Sequence, residues 1–166
     1  MEYTHVSHTF GPIYDDKSKI LILGSFPSVK SREQNFYYGH PQNRFWKVLA
    51  YIFKEPVPNT IEDKKQFLLR NHIALWDVIE SCDIIGSSDS SIRDAVANDM
   101  DVILSAAPIE AILANGGKAY ELFLKYSQRE GQPSVYKLPS TSPANAACHL
   151  EKLQEVWGEM LNELHN

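Results

Sequence analysis

The chain reads as an α/β protein, a three-layer α/β/α sandwich around a central four-stranded, mostly parallel sheet. Three observations predict it. Four apolar runs of strand length fall within residues 19–24, 73–79, 109–114 and 134–138. Stretches with helical spacing separate them, the alternation of a sheet built by crossovers. Each run then ends in a loop-like segment, and right-handed crossovers gather those loops along one edge, where open α/β sheets bind ligands.

In order, Ile20-Leu21-Ile22-Leu23 forms the first buried strand and closes on Gly24-Ser25-Phe26-Pro27-Ser28. Phe45, Val48, Leu49 and Ile52 recur at helical spacing and predict a helix over 44–53, with Asn43 as its N-cap. Pro56 and Pro58 break the chain, and Thr60, with Asp63 three residues on, caps a helix over 61–71. A strand follows over 73–79, then a polar loop over 83–90, then helical stretches at 91–97 and 99–106. The strand at 109–114 closes on Asn115-Gly116-Gly117 and leads to a helix at 118–127. After the turn Gly131-Gln132-Pro133 come a strand at 134–138, the loop Pro139 to Asn145 and a terminal helix at 146–165.

With 166 residues, 43% hydrophobic and 22% charged, the chain predicts one soluble domain over residues 1–166. No apolar run approaches the roughly 18 to 20 residues that cross a bilayer, and the polar start is no signal peptide. A cytoplasmic protein without a membrane partner is expected. Cys82 and Cys148 are too few for a disulfide framework or an iron–sulfur cluster, and the histidines lack metal-ligand spacing, so no metal and no cofactor are expected. The net charge of −5 argues against a protein that coats nucleic acid. The charge is unevenly placed, however: Lys30, Arg32, Arg44 and Lys47 cluster early, while Glu151, Glu155, Glu159 and Glu163 lie at the far end.

The densest segment is Tyr37-Tyr38-Gly39-His40-Pro41-Gln42-Asn43-Arg44-Phe45-Trp46-Lys47-Val48, where rings, an amide and cations crowd the start of one helix. Its residues have bland readings too. Asn43 can be a simple cap, His40 a brace for its own loop, and Phe36, Tyr37 and Tyr38 ordinary core. The segment resembles the His-Pro-x-Asn-Arg-Phe-Trp-Lys-Val stretch of mismatch-specific uracil-DNA glycosylases. The Gly24 to Ser28 loop upstream and Leu138-Pro139-Ser140-Thr141-Ser142-Pro143 downstream match the superfamily's other motifs in order and spacing. Phe26 stands where the mismatch enzymes keep a water-positioning Asn. That departure makes the chain more similar to the hypoxanthine-DNA glycosylase branch, which uses an Asn from the later segment.

The resemblance implies a uracil-DNA glycosylase-like fold and a monofunctional DNA glycosylase of base excision repair. Its substrate would be DNA containing a deaminated base, first of all deoxyinosine, and the protein would act as a monomer. Asn43 would hold the attacking water. Gly24, Ser25, Phe26, Pro27, Tyr38 and His40 would line the base pocket, with Tyr38 stacking on the extruded base. Arg44, Lys47, Ser140, Thr141, Ser142 and Asn145 would meet the DNA backbone. Relatives keep a wedge, often Leu, where this chain has Ala144 and Asn145. Two alternatives stay open: a glycosylase acting on uracil or mismatches, and a non-catalytic damage-binding module. The run Ser87-Ser88-Asp89-Ser90-Ser91 lacks a phosphate-loop pattern and reads as a loop with an N-cap.

Overall fold

The structure is a computed structural model that describes residues 2–165. In chain order the elements are β1 (Thr4–Ser7), β2 (Ile20–Gly24), α1 (Val29–Gln34), α2 (Phe45–Phe53), α3 (Ile61–Arg70), β3 (Ile73–Asp77) and β4 (Ile79–Ile84). They continue with β5 (Arg93–Ala97), α4 (Asp101–Leu104), β6 (Ala111–Asn115), α5 (Gly117–Tyr126), β7 (Ser134–Leu138) and α6 (Leu150–His165), with a 3₁₀ turn at Asp89–Ser91.

The four expected strands form one sheet in the order β3-β2-β6-β7, and every pairing in it is parallel. Every residue of β2, β3 and β6 is buried, which explains why they read as apolar runs without alternation. The chain leaves β2 toward β3 on one side and later returns to β6 on the other. That reversal opens a crevice at the carboxyl ends of the central strands. The β3 edge is closed by Ile13, whose N–H donates to the Leu75 carbonyl at 2.9 Å and whose carbonyl accepts from the Leu75 N–H at 2.8 Å.

Helices α2 and α6 pack against each other through aromatic rings, with Phe45 and the fully buried Trp157 edge to face at 6.2 Å. Trp46 sits edge-on to Phe45 and stacks with Phe36. Such pairs each add about 0.5–1.5 kcal/mol beyond the area they bury. This cluster is the platform on which the Tyr37 to Arg44 loop rests.

A second sheet, antiparallel in the order β1-β4-β5, departs from expectation. The expected helix at 91–97 is β5, because pairing with β4 outweighs the helix preference of its Arg and Ala residues. The strand expected over 73–79 divides at Val78. Its N–H turns to the Gly24 carbonyl at 2.9 Å while the chain passes from one sheet into the other. The loop expected from 83 begins after Ile84, the helix expected at 99–106 contracts to Asp101–Leu104, and the terminal helix starts at Leu150 rather than 146. Helix α1 was not anticipated; Ser28 caps it by accepting the Ser31 N–H at 3.2 Å.

Candidate active site

A cavity of about 300 Å³ opens at the carboxyl ends of β2, β3, β6 and β7, at the lower end of the range for small-molecule sites. Its wall brings together the first loop (Gly24 to Ser28), Tyr38, His40 and Asn43 before α2, Asp77 at the end of β3, Asp89, Asn115 and the loop after β7.

Asn43 is placed by backbone and side-chain donors together. Its Oδ1 accepts the Phe45 N–H at 2.9 Å and the Thr141 hydroxyl at 2.9 Å. Arg44 rather than Asn43 is the boundary residue of α2, and it contributes no side-chain cap. The Thr141 hydroxyl accepts the Asn115 Nδ2 at 3.0 Å, and Asn115 Oδ1 accepts the Thr141 N–H at 3.0 Å. A backbone N–H therefore fixes each amide, and the relay runs one way from Asn115 through Thr141 to Asn43. Both lone pairs of Asn43 Oδ1 are occupied. What Asn43 has left to offer the cavity is its NH₂ group, a donor.

Tyr38 adopts a left-handed backbone, φ 55°, which turns its ring onto Phe45 at 4.1 Å between centroids. It lines the cavity, and burial, reinforced by Asp77, raises its pKa so that it stays a phenol. His40 Nδ1 accepts the Gln42 N–H at 3.1 Å and so braces its own loop. Phe26 is buried, edge-on to His8 at 6.2 Å, and its side chain offers the cavity no polar atom. Gly24, Ser25 and Pro27 line the same wall.

Of the residues expected to meet DNA, two have internal work instead. The Arg44 guanidinium donates to the carbonyls of Thr141 (3.3 Å), Ser142 (2.8 Å), Asn145 (3.2 Å) and Cys148, so it clamps the segment after β7. Thr141 is fully buried and belongs to the amide relay. A guanidinium beside a loop of free carbonyls satisfies them, and this also explains why residues 146–149 stay out of α6. Ser140 Oγ accepts the Ser142 N–H, Ser142 Oγ accepts the Ala144 N–H, and Asn145 Nδ2 donates to the Ser140 carbonyl at 3.0 Å. These three remain at the cavity mouth or in the adjoining groove, and Lys47 is exposed on α2.

The sequence reading missed a buried pair, Asp77 and His8. Asp77 Oδ2 accepts from His8 Nε2 at 2.8 Å, with both side chains under 5% exposed. His8 also sits against the rings of Phe10, Phe26 and Tyr37. Asp77 Oδ1 has no hydrogen-bond partner among the described residues, and Asp77 lines the cavity. A lone carboxylate ending the apolar run Ile73-Ala74-Leu75-Trp76 was the available signal, because a charge is buried there only with a partner or a task. Gly24 makes room for it: a Cβ at Gly24 would lie 2.4 Å from Asp77 Oδ1 and 3.0 Å from the Tyr38 hydroxyl oxygen. Gly24→Ala is expected to fold, to displace the carboxylate and to weaken base-dependent activity by at least about tenfold, roughly 1.4 kcal/mol. Unchanged activity alongside unchanged thermal stability would remove Asp77 from the site.

Asp89 completes the wall. Ser25 Oγ donates to its Oδ1 at 2.8 Å, which ties the 3₁₀ turn to the first loop. Crowding by protein raises its pKa, with Asp77 adding and Lys118 opposing. Among the described residues no group of three or more His, Cys, Asp or Glu is arranged to hold a metal ion, and no helix is long and apolar enough to cross a membrane.

Comparison with known proteins agrees with this geometry. Residues 12–164 match the family model described as the uracil DNA glycosylase superfamily. The chain is 37% identical over 154 residues to a protein named hypoxanthine DNA glycosylase from Methanosarcina barkeri (strain Fusaro / DSM 804), a match covering 90% of this chain and 94% of that one. It is 36% identical over 144 residues to a protein of the same name from Methanosarcina acetivorans, covering 84% and 89% of the two chains. A solution NMR structure of a candidate uracil DNA glycosylase from Methanosarcina acetivorans superposes with a TM-score of 0.78 at 33% identity, over 95% of this chain and 97% of that one. A parallel sheet in this order, a cavity at its carboxyl edge and a family match spanning nearly the whole chain lead to one conclusion: the protein belongs to the uracil DNA glycosylase superfamily.

Proposed function

We propose that the protein is a monofunctional DNA glycosylase that hydrolyses the N-glycosidic bond of deoxyinosine in DNA, working as a cytoplasmic monomer in base excision repair. The observation that carries this reading is the open oxygen of Asp77, an acceptor held by His8 inside a base-sized cavity. Deamination of adenine changes ring atom N1 from an acceptor into an N–H donor. A carboxylate oxygen accepts from that N–H and opposes the bare nitrogen of adenine. The names of the two Methanosarcina relatives support the purine over other deaminated bases.

In this reading the base enters between the first loop and the Tyr38 ring, which Phe45 backs from behind. The Asn43 NH₂ donates to the oxygen of the attacking water and orients its lone pair toward C1′. The backbone N–H groups of Ser25 and Phe26 serve the base carbonyl as negative charge grows on the departing ring. Lys47, Ser140, Ser142 and Asn145 are the groups proposed to approach the phosphates, since Arg44 and Thr141 are committed inside.

Uracil is the runner-up substrate, because its N3–H presents Asp77 with the same donor. Oligonucleotides carrying inosine, uracil, xanthine or a G·T mismatch decide between them. Inosine is expected to be excised fastest, and Asp77→Ala to lower that rate by about 10²-fold, roughly 3 kcal/mol, as for loss of a hydrogen bond to a charged group. A protein that binds these duplexes and leaves no abasic site on any of them would be a damage-binding module instead.

A further inference from the structure

We propose that the Asp89 carboxylate is a second catalytic group of this site, which receives a proton from the attacking water and faces the sugar as positive charge develops on it. The proposal rests on the glycosylase reading above and concerns a residue that the resemblance leaves unassigned.

Neither Asn43 nor the Phe26 side chain supplies the acceptor that hydrolysis needs. A water that attacks C1′ must shed a proton, and its oxygen can be oriented by donors but its protons need an acceptor. Asn43 cannot take this part: its Oδ1 already accepts from the Phe45 N–H and the Thr141 hydroxyl, and its NH₂ only donates. The Phe26 side chain has no acceptor. Asp89, by contrast, is tied to the preceding residue of that loop through the 2.8 Å bond from Ser25 Oγ, which leaves its other oxygen uncommitted among the described residues. The fold thus returns a carboxylate to the first loop from a segment more than sixty positions away, as the 64-residue separation of Ser25 and Asp89 records.

Asp89 also occupies a distinctive place in the site. A shallower groove adjoins the cavity, bounded by Gly117, Lys137, Leu138, Pro139 and Asn145. Four residues border both spaces, namely Asp89, Ser140, Ser142 and Ala144, and of these only Asp89 ionises. A nucleotide whose base fills the cavity and whose phosphates lie in the groove has its sugar at that shared border. Asp89 is reachable from solvent there, yet protein crowds its carboxylate. The charged and titratable groups that act on it are Asp77 from β3, Lys118 from α5, Cys82 from β4 and Tyr38 from the α2 approach. Desolvation and Asp77 raise its pKa against the Ser25 hydrogen bond and the pull of Lys118, which makes the carboxylate a better proton acceptor.

The step balances. The C1′–N9 bond breaks and its electron pair leaves with the base, which collects a proton from solvent. The water oxygen bonds to C1′, and its proton passes to Asp89, which then returns it to solvent.

The test is single-turnover excision of inosine by wild type and Asp89→Asn, followed from acidic to neutral pH. Asparagine keeps the acceptor for Ser25, so a merely structural role predicts an unchanged rate. The expected result is a loss of about 10²-fold at neutral pH. In wild type the rate should fall as pH drops through the raised pKa of Asp89, and in the variant this acidic limb should vanish. Asp89→Glu, which moves the charge outward by one methylene, is expected to recover part of the rate. Thermal unfolding of each variant shows that it is folded. If Asp89→Asn excises within threefold of wild type, or keeps the same acidic limb, the proposal is overturned while the glycosylase reading stands. A wild-type protein inert on inosine, uracil and xanthine alike ends both.

Discussion

Asn43→Ala is expected to lower the single-turnover rate of inosine excision by about 10²- to 10³-fold while DNA binding persists, the size of effect seen when one positioned donor is removed from a reacting centre. The expectation follows from the way Asn43 is held. Two donors grip its Oδ1, one from the backbone of α2 and one from Thr141, so the remaining NH₂ is aimed rather than free to rotate. Asn43→Asp separates the two halves of this arrangement. It preserves an acceptor for Phe45 and Thr141, hence the relay and the stability, but exchanges the donor for an acceptor. Stability near wild type together with lost excision is the expected pattern. Should Asn43→Asp and Asn43→Ala both excise at the wild-type rate, Asn43 would be a scaffold residue and nothing more.

Arg44→Met is expected to destabilise the protein by about 3 kcal/mol, because one charged group supplies hydrogen bonds to four loop carbonyls that methionine cannot replace. For a chain of this length the loss corresponds to a fall in Tm of roughly 6–12 °C. Excision should fall with it, since the clamped segment carries Thr141 and so the aim of Asn43. Denaturant unfolding distinguishes this role from the phosphate contact that the sequence suggested. A variant with unchanged midpoint but weakened, less salt-sensitive DNA binding would return Arg44 to the DNA surface.

The parallel sheet was legible because its strands are buried on both faces, and Ile20-Leu21-Ile22-Leu23 or Ala111-Ile112-Leu113-Ala114 can hardly be anything but interior. The antiparallel sheet was not. Strands β1 and β5 carry polar, largely exposed residues such as Thr4, His5, Arg93 and Asp94, and their stability comes from pairing with β4 across the chain, which no local window contains. The site divides along the same line. Tyr38, His40 and Asn43 fall within one short segment and announced themselves as a motif. Asp77, His8 and Asp89 acquire meaning only from partners 69 and 64 positions away. Arg44 illustrates a different difficulty: a cation at a helix start reads the same whether it will meet a phosphate or a ring of carbonyls.

The pairing of β1 with β4 has a consequence for the order of assembly. Thr4 lies opposite Ile84 and Ser7 opposite Ser81, so the strand that delivers His8 to Asp77 is synthesised long before the strand that receives it. Local helices need not wait, whereas this contact, like the pairing of β2 with β6, must close a long loop first. This wall of the cavity is therefore expected to become rigid only once long-range contacts close, although its first component is among the first residues made.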